Sequence, residues 1–288
     1  MKVVTILVTN NIIFPTFCKE KIKGSREKSM KIACIQMDIT FGNVEKNIEH
    51  AEKKINEAMK EKPDVIVLPE LWTTGYDLER LPEIADPDGK YTKQLLSKWG
   101  KQNCVNIVGG SIAKQIEKGV TNTMYISNRS GKIVAEYSKV HLFQLMDEHK
   151  YLIAGNKTGH FILDDTPCAG TICYDIRFPE WVRVHAAQGA TVLFVVAEWP
   201  LVRLAHWRLL LQARAIENQC YIVACNRAGR DPNNVFAGHS LIIDPWGEVV
   251  NEADETEMIL YGTLDVKKIS EVRKGIPVFF DRRPELYM

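Results

Sequence analysis

The chain has 288 residues, 45% of them hydrophobic and 25% charged, with a formal net charge of +1. This is ordinary for a globular protein with a sizeable core, and it lacks the concentrated basic face that nucleic acid or an anionic membrane would require of a main partner. No run of about 18 apolar residues exists, which excludes an ordinary transmembrane helix.

The first 29 residues stand apart. "MKVVTILVTNNIIFPTF" is apolar, yet Asn10 and Asn11 interrupt it and no A-x-A-like cleavage site follows. It reads as an arm outside the fold, or an upstream-extended start, rather than a targeting segment. From Met30 to residue 288 the chain reads as one domain. "KIACIQMDI" (31–39) is a first strand. Residues 43–62 place Val44, Ile48, Ala51, Ile55 and Met59 at helical spacing among charges, an amphipathic surface helix. "DVIVLPE" (64–70) is a continuous apolar run ending in a carboxylate, suited to a strand covered on both faces. "NIVGGSI", "NTMYISN" and "KIVAEYS" form a β-rich middle, with "NRSG" (128–131) turning the last hairpin.

The second half repeats the style. "AGTICYD" is a strand, "PEWVRVHAAQ" (179–188) a helix opened by Pro, and "TVLFVVAEW" (191–199) another buried strand. A helix over 204–220, the strand "YIVACNRA" and a hairpin "GHSLIIDPWGEVV" turning at Asp244–Gly247 follow. No linker divides these segments. Mixed strands and helices with doubly covered apolar runs imply layered α/β: two sheets packed on each other with helices outside. Seven cysteines in no framework-like spacing fit free thiols in a reducing, cytoplasmic setting. No C-x-x-C pair or His-rich tract suggests a metal, and no cofactor is expected.

Three segments share one grammar, a buried strand whose end delivers a reactive group. "DVIVLPE" delivers Glu70, "IVAEYSK" delivers Lys139, and "AGTIC" delivers Cys173. Singly, each reads as a solvated strand end or a small core residue. Together they make a machine. A thiol is a poor nucleophile until deprotonated; Glu70 can accept its proton, and Lys139 can stabilise the tetrahedral oxyanion. A turn directly after Cys173 would aim backbone N–H groups, that of Tyr174 among them, at the same oxygen.

"LPELWTTGYD", "YSKVHLF", "GTICYDIRFPEW", "QARAIENQCYIVACNRAG" and "GHSLIIDPWGEVV" occur in an order that resembles the nitrilase, or carbon–nitrogen hydrolase, superfamily, over residues 31 to about 287. The resemblance implies a single-domain, four-layer α-β-β-α sandwich, a homodimer, and a Glu–Lys–Cys triad that hydrolyses amides through a thioester. It casts Glu70 as base, Lys139 as oxyanion cation and Cys173 as nucleophile. The family's second glutamate falls on Glu148, counting back from Gly155 through a segment shorter than the usual pattern. The alternative is that Asp147-Glu148-His149 is a solvated loop.

Within the superfamily, "MDEH…AGN" and "WPLVRLAHWRLLLQARAIEN" are most similar to the omega-amidase-like branch, which acts on small ω-amides of 2-oxo acids. Such a substrate carries a distal carboxylate, for which Arg177 or Arg203 could supply a bidentate fork. Otherwise Arg177 braces Glu180. A papain-like pairing of Cys173 with His141 or His149 lacks the flanking pattern, and His141 is expected to fix the loop after Lys139 by hydrogen bonding. The competing readings are an N-carbamoyl-amide hydrolase or nitrilase of the same superfamily, and a catalytically silent binding protein on this scaffold.

Overall fold

The computed structural model describes residues 29–287. Residues 1–28, nearly all of the expected N-terminal arm, lie outside the described residues.

The strands fall into two sheets in chain order. The first is built from β1 (Ser29–Gln36), β2 (Val65–Val67), β3 (Asp86–Pro87), β4 (Asn106–Ile116), β5 (Gly119–Ser127) and β6 (Ile133–Ser138). The second takes β7 (His160–Leu163), β8 (Thr166–Ile172), β9 (Val192–Ala197), β10 (Tyr221–Asn226), β11 (Leu241–Ile243) and β12 (Val249–Glu252). β13 (Met258–Asp265) then returns to the first sheet and pairs antiparallel with β1. The first sheet runs β13-β1-β2-β4-β5-β6, with β3 on β4; the second runs β12-β11-β10-β9-β8-β7. Each has a parallel centre, β1-β2-β4 and β8-β9-β10, flanked by antiparallel strands.

The helices are α1 (Val44–Ala58), α2 (Leu81–Ile84), α3 (Lys90–Asn103), α4 (Glu148–Tyr151), α5 (Pro179–Ala187), α6 (Leu204–Asn218), α7 (Val266–Gly275) and α8 (Val278–Asp281). The period-2 alternation of a strand decides what each face meets. In β1, Ile32 and Cys34 join the core between the sheets, whereas Ala33 and Ile35 pack with Ala51 and Ile55 of α1 and Leu96 and Trp99 of α3. β9 is buried along its whole length, with Trp207, Leu211 and Ala215 of α6 in the same core. The order of layers is helix, sheet, sheet, helix, as the resemblance implies. Both expected hairpin turns are present: Gly131 N–H donates to Asn128 O at 2.8 Å, and Gly247 N–H to Asp244 O at 2.9 Å.

Two strand ends differ from the sequence reading. β2 stops at Val67, so Glu70 lies three residues beyond it, and β8 stops at Ile172. Cys173 therefore opens a tight 3₁₀ turn, Cys173–Arg177, instead of closing a strand. Cys34, Cys168, Cys173, Cys220 and Cys225 are free and buried. Among the described residues no helix is long and apolar enough to cross a membrane.

Candidate active site

The parallel strands of both sheets deliver their C-terminal ends to one place. β2 leads into Pro69-Glu70, and β4 bulges beside it between Val108 and Ser111. Gly110 sits in that bulge at φ +59, where a Cβ would stand 2.1 Å from Pro69 O, so only glycine lets the two chains pass. Ser111 then grips the Glu70 segment, its N–H donating to Pro69 O and its hydroxyl accepting from Leu71 N–H at 3.0 Å. Lys139 follows β6 directly; its N–H donates to Asn122 O and its carbonyl accepts from Gly155 N–H, both at 2.8 Å. Glu148 opens the one-turn helix α4.

Glu70, Lys139 and Glu148 meet with no solvent exposure. Lys139 Nζ lies 2.8 Å from Glu70 Oε1 and 2.6 Å from Glu148 Oε1. Tyr76 Oη donates to Glu148 Oε1 at 2.6 Å, and Asn122 Nδ2 to Glu70 Oε1 at 2.8 Å. The far oxygens are held by backbone, Glu70 Oε2 by Glu198 N–H at 2.8 Å and Glu148 Oε2 by Phe143 N–H at 2.6 Å. Burial alone would pull Lys139 down, but Glu148 and Glu70 outweigh it and hold the ammonium well above its ordinary value. Glu148 is lifted above the usual carboxylate range by burial, which Lys139 opposes and Glu70 reinforces.

Cys173 belongs to the same electrostatic cluster. Burial pushes its thiol well above the ordinary value; Glu70 adds to the shift and Lys139 opposes it. The resting sulfur is a thiol, and its proton needs an acceptor at hand. Its backbone is left-handed at φ +46, costly for a residue with a Cβ and characteristic of functional turns. Asp175, fully buried two residues on, holds that turn. It accepts from Ile172 N–H at 3.0 Å, from Tyr137 Oη at 2.6 Å and from His141 N–H at 3.0 Å. His141 Nδ1 lies 2.8 Å from Asp175 Oδ1, and the ring stacks on Phe178 at 3.7 Å. His141 thus ties the loop after Lys139 to the turn after Cys173, as the sequence reading expects, and it is not paired with the sulfur.

A narrow pocket opens at Cys173, lined also by Phe143, Tyr174, Arg177, Trp199 and Arg203. Both candidate arginines reach it. Arg177 lies over the Trp199 ring at 4.9 Å and contacts His206 Nδ1 at 3.3 Å. Arg203 lies over Phe143 at 5.7 Å. Neither is ion-paired among the described residues, so the suggested Arg177–Glu180 brace is not formed. Tyr174 stands on the first turn after the strand, where N–H groups lack internal acceptors.

Sequence reasoning missed Tyr76, Asn122, Asp175 and Glu198. For the first three no local pattern existed; their roles appear only once distant strands converge. Glu198 did carry a signal. It follows the buried run "TVLFVVA" as Glu70 follows "DVIVLP", and it is equally buried. Arg227 Nη1 donates to its Oε2 at 2.8 Å, and burial, only partly countered by Arg227, raises its carboxyl to about 8.

The chain is similar to known proteins along most of its length. The family model described as carbon–nitrogen hydrolase matches residues 31–274. The chain is 55% identical over 256 residues to the 2-oxoglutaramate amidase of Bacillus subtilis (strain 168), covering 89% of this chain and 98% of that protein. It is 34% identical over 267 residues to omega-amidase NIT2 of Pongo abelii, covering 90% and 97%. The crystal structure of Saccharomyces cerevisiae Nit3, a member of branch 10 of the nitrilase superfamily, superposes with a TM-score of 0.83 at 31% identity, over 88% of this chain and 97% of that one.

Proposed function

The chain belongs to the carbon–nitrogen hydrolase family, and we propose that it is an amidase that converts the ω-amide of a 2-oxo acid, 2-oxoglutaramate, to the carboxylic acid and ammonia. The observation that carries the mechanism is the buried Glu70–Lys139–Glu148 cluster set against Cys173 on its strained turn.

As Cys173 Sγ attacks the amide carbon, Glu70 takes the thiol proton. No thiolate is stored beforehand, because burial and the neighbouring carboxylates favour the thiol. The carbonyl oxygen becomes an oxyanion held by Lys139 and the Tyr174 N–H. Two of the lysine's three hydrogens are engaged by Glu70 and Glu148, and the third serves the oxyanion. Collapse expels the nitrogen, which leaves as ammonia with the proton Glu70 received, and a thioester remains on Cys173. Glu70 then deprotonates a water that attacks the thioester; the C–S bond breaks, the carboxylic acid is released, and Glu70 returns the proton to Cys173 Sγ. Glu148 keeps the lysine charged and aimed throughout.

Arg177 or Arg203, free of acidic partners at the pocket, would hold the distal carboxylate. The five free buried thiols support a reducing, cytoplasmic setting. Exposed Leu209 and Ile216 on α6 and Phe280 near the C-terminus support a homodimer. The test is ammonia release from 2-oxoglutaramate, propionamide, an N-carbamoyl amide and a nitrile. The 2-oxo acid amide should lead by decades in kcat/KM; a lead by the nitrile or the carbamoyl amide would overturn the substrate assignment.

A further inference from the structure

Glu198 is the carboxylate at this site that the mechanism leaves without a task. It stands immediately after β9, the strand beside β8, whose last residue precedes Cys173, and it is fully buried. Three of its polar groups are placed differently. Its N–H donates to Glu70 Oε2 at 2.8 Å, so its backbone lies against the proposed base. Its Oε2 accepts from Arg227 Nη1 at 2.8 Å. Its Oε1 is shielded from solvent and has no hydrogen-bond partner among the described residues. The residue lines the same pocket as Cys173, Arg177 and Arg203.

Arg227 cannot turn to satisfy that oxygen. Its guanidinium is fixed by Asp38 Oδ1 at 3.0 Å and Ile39 O at 2.9 Å, and it lies over Phe236 at 4.1 Å. A buried carboxylate oxygen without a donor is costly, and native structures keep one only for a reason. A donor that arrives with the substrate is such a reason. A substrate carboxylate is repelled here and belongs with the arginines. Once the amide carbon faces Cys173 and its oxygen faces Lys139 and the Tyr174 N–H, the substituent left to place is the amide nitrogen, which carries two hydrogens.

We propose that Glu198 is a specificity-determining residue whose Oε1 accepts a hydrogen bond from the substrate's amide NH2 group and retains it as that nitrogen leaves. This rests on the amidase reading above. Glu198 takes no proton: the thiol proton passes to Glu70 and then to the nitrogen, the C–N bond breaks and the C–S bond forms. Its contribution is to discriminate. An amide offers N–H donors at this position, whereas an ester of the same acid leaves Oε1 unpaired.

The test is kcat/KM at pH 9, above the value of about 8 at which this buried carboxyl ionises, for wild type and Glu198→Gln on 2-oxoglutaramate and on the ω-methyl ester of 2-oxoglutarate. The glutamine turns toward the substrate the amide group that Arg227 does not engage, and the charged acceptor is lost. Turnover of the amide should fall by about 30-fold, the scale of one hydrogen bond to a charged group, while that of the ester falls by less than about threefold. Should the single variant fail to fold, Glu198→Gln combined with Arg227→Gln removes both buried charges together, and the amide-to-ester ratio is read in the same way. An equal fall for both substrates would make Glu198 only a brace for Arg227 and overturn the proposal, as would no change in either. A wild type that cleaves the ester but no amide would overturn the amidase reading itself, and this proposal with it.

Discussion

His141 and Asp175 lie 2.8 Å apart through Nδ1 and Oδ1, and this pair binds the loop that begins at Lys139 to the turn that begins at Cys173. Asp175 also accepts from Tyr137, whose hydroxyl in turn accepts from Trp181 Nε1 at 3.0 Å. Cys173 and Lys139 follow strands of different sheets, and this carboxylate fixes their spacing. Asp175→Ala leaves several buried donors without an acceptor, at a cost of about 1–3 kcal/mol for each one left fully buried. The expected outcome is a clear drop in Tm by thermal denaturation and a fall in kcat of at least ~10-fold, because a small misplacement of the reacting groups is expensive.

Lys139→Met should lower kcat by at least ~10²-fold, the scale of a lost oxyanion-stabilising group. It should also lower stability. Two buried carboxylates, Glu70 and Glu148, would face each other without their cation, and breaking such a cluster typically costs about 3–5 kcal/mol. Adding Glu148→Gln should restore much of the stability and none of the turnover. Urea denaturation and ammonia release on the two variants separate the two effects.

The pH dependence of stability should carry the signature of His185. Its Nε2 accepts from Gly159 N–H at 3.0 Å and its Nδ1 faces Trp181 O at 2.8 Å, so the neutral ring is the form that fits. Burial lowers its pKa from 6.5 to about 4. In that interval the unfolded chain binds the proton and the folded one does not, so this contribution is intact above about 6.5 and is lost as pH falls toward 4. The loss reaches about 3 kcal/mol at most. Wild type and His185→Asn, compared by Tm from pH 8 to pH 4, should converge as the pH drops; parallel curves would contradict the assignment.

Neutralising Arg177 or Arg203 should separate substrates. The arginine that holds the distal carboxylate should, on substitution by Gln, cost the oxo-acid amide at least ~10²-fold in kcat/KM while propionamide changes little, because only the former loses an ionic partner. Equal losses on both substrates from both variants would place neither arginine at the carboxylate.

Much of this was legible in the sequence for a physical reason. The strands at the centre of the two sheets are continuous apolar runs, and Glu70 and Lys139 follow strand segments with charges that are costly to bury without purpose, while Cys173 opens the turn after β8. α3 and β13 were not foreseen. α3 is rich in lysine, with few buried positions, and β13 is only partly buried along its length. Asp175 and Tyr76 carried no signal of their roles because their partners, Tyr137 and Glu148, lie 38 and 72 residues away in the chain. Glu198 was there to be found, since "VVAEW" repeats the pattern of "IVLPE".

The central claim is a covalent thioester on Cys173, and it is tested most directly by mass spectrometry of enzyme quenched during turnover of 2-oxoglutaramate. The acyl group should appear on the peptide containing Cys173 and on no other cysteine. Cys173→Ala should show no adduct and release no ammonia while keeping a Tm close to wild type, since alanine is a smaller apolar residue at the same buried position. An adduct on another residue, or a Cys173→Ala variant that retains a substantial fraction of wild-type turnover, would contradict the account.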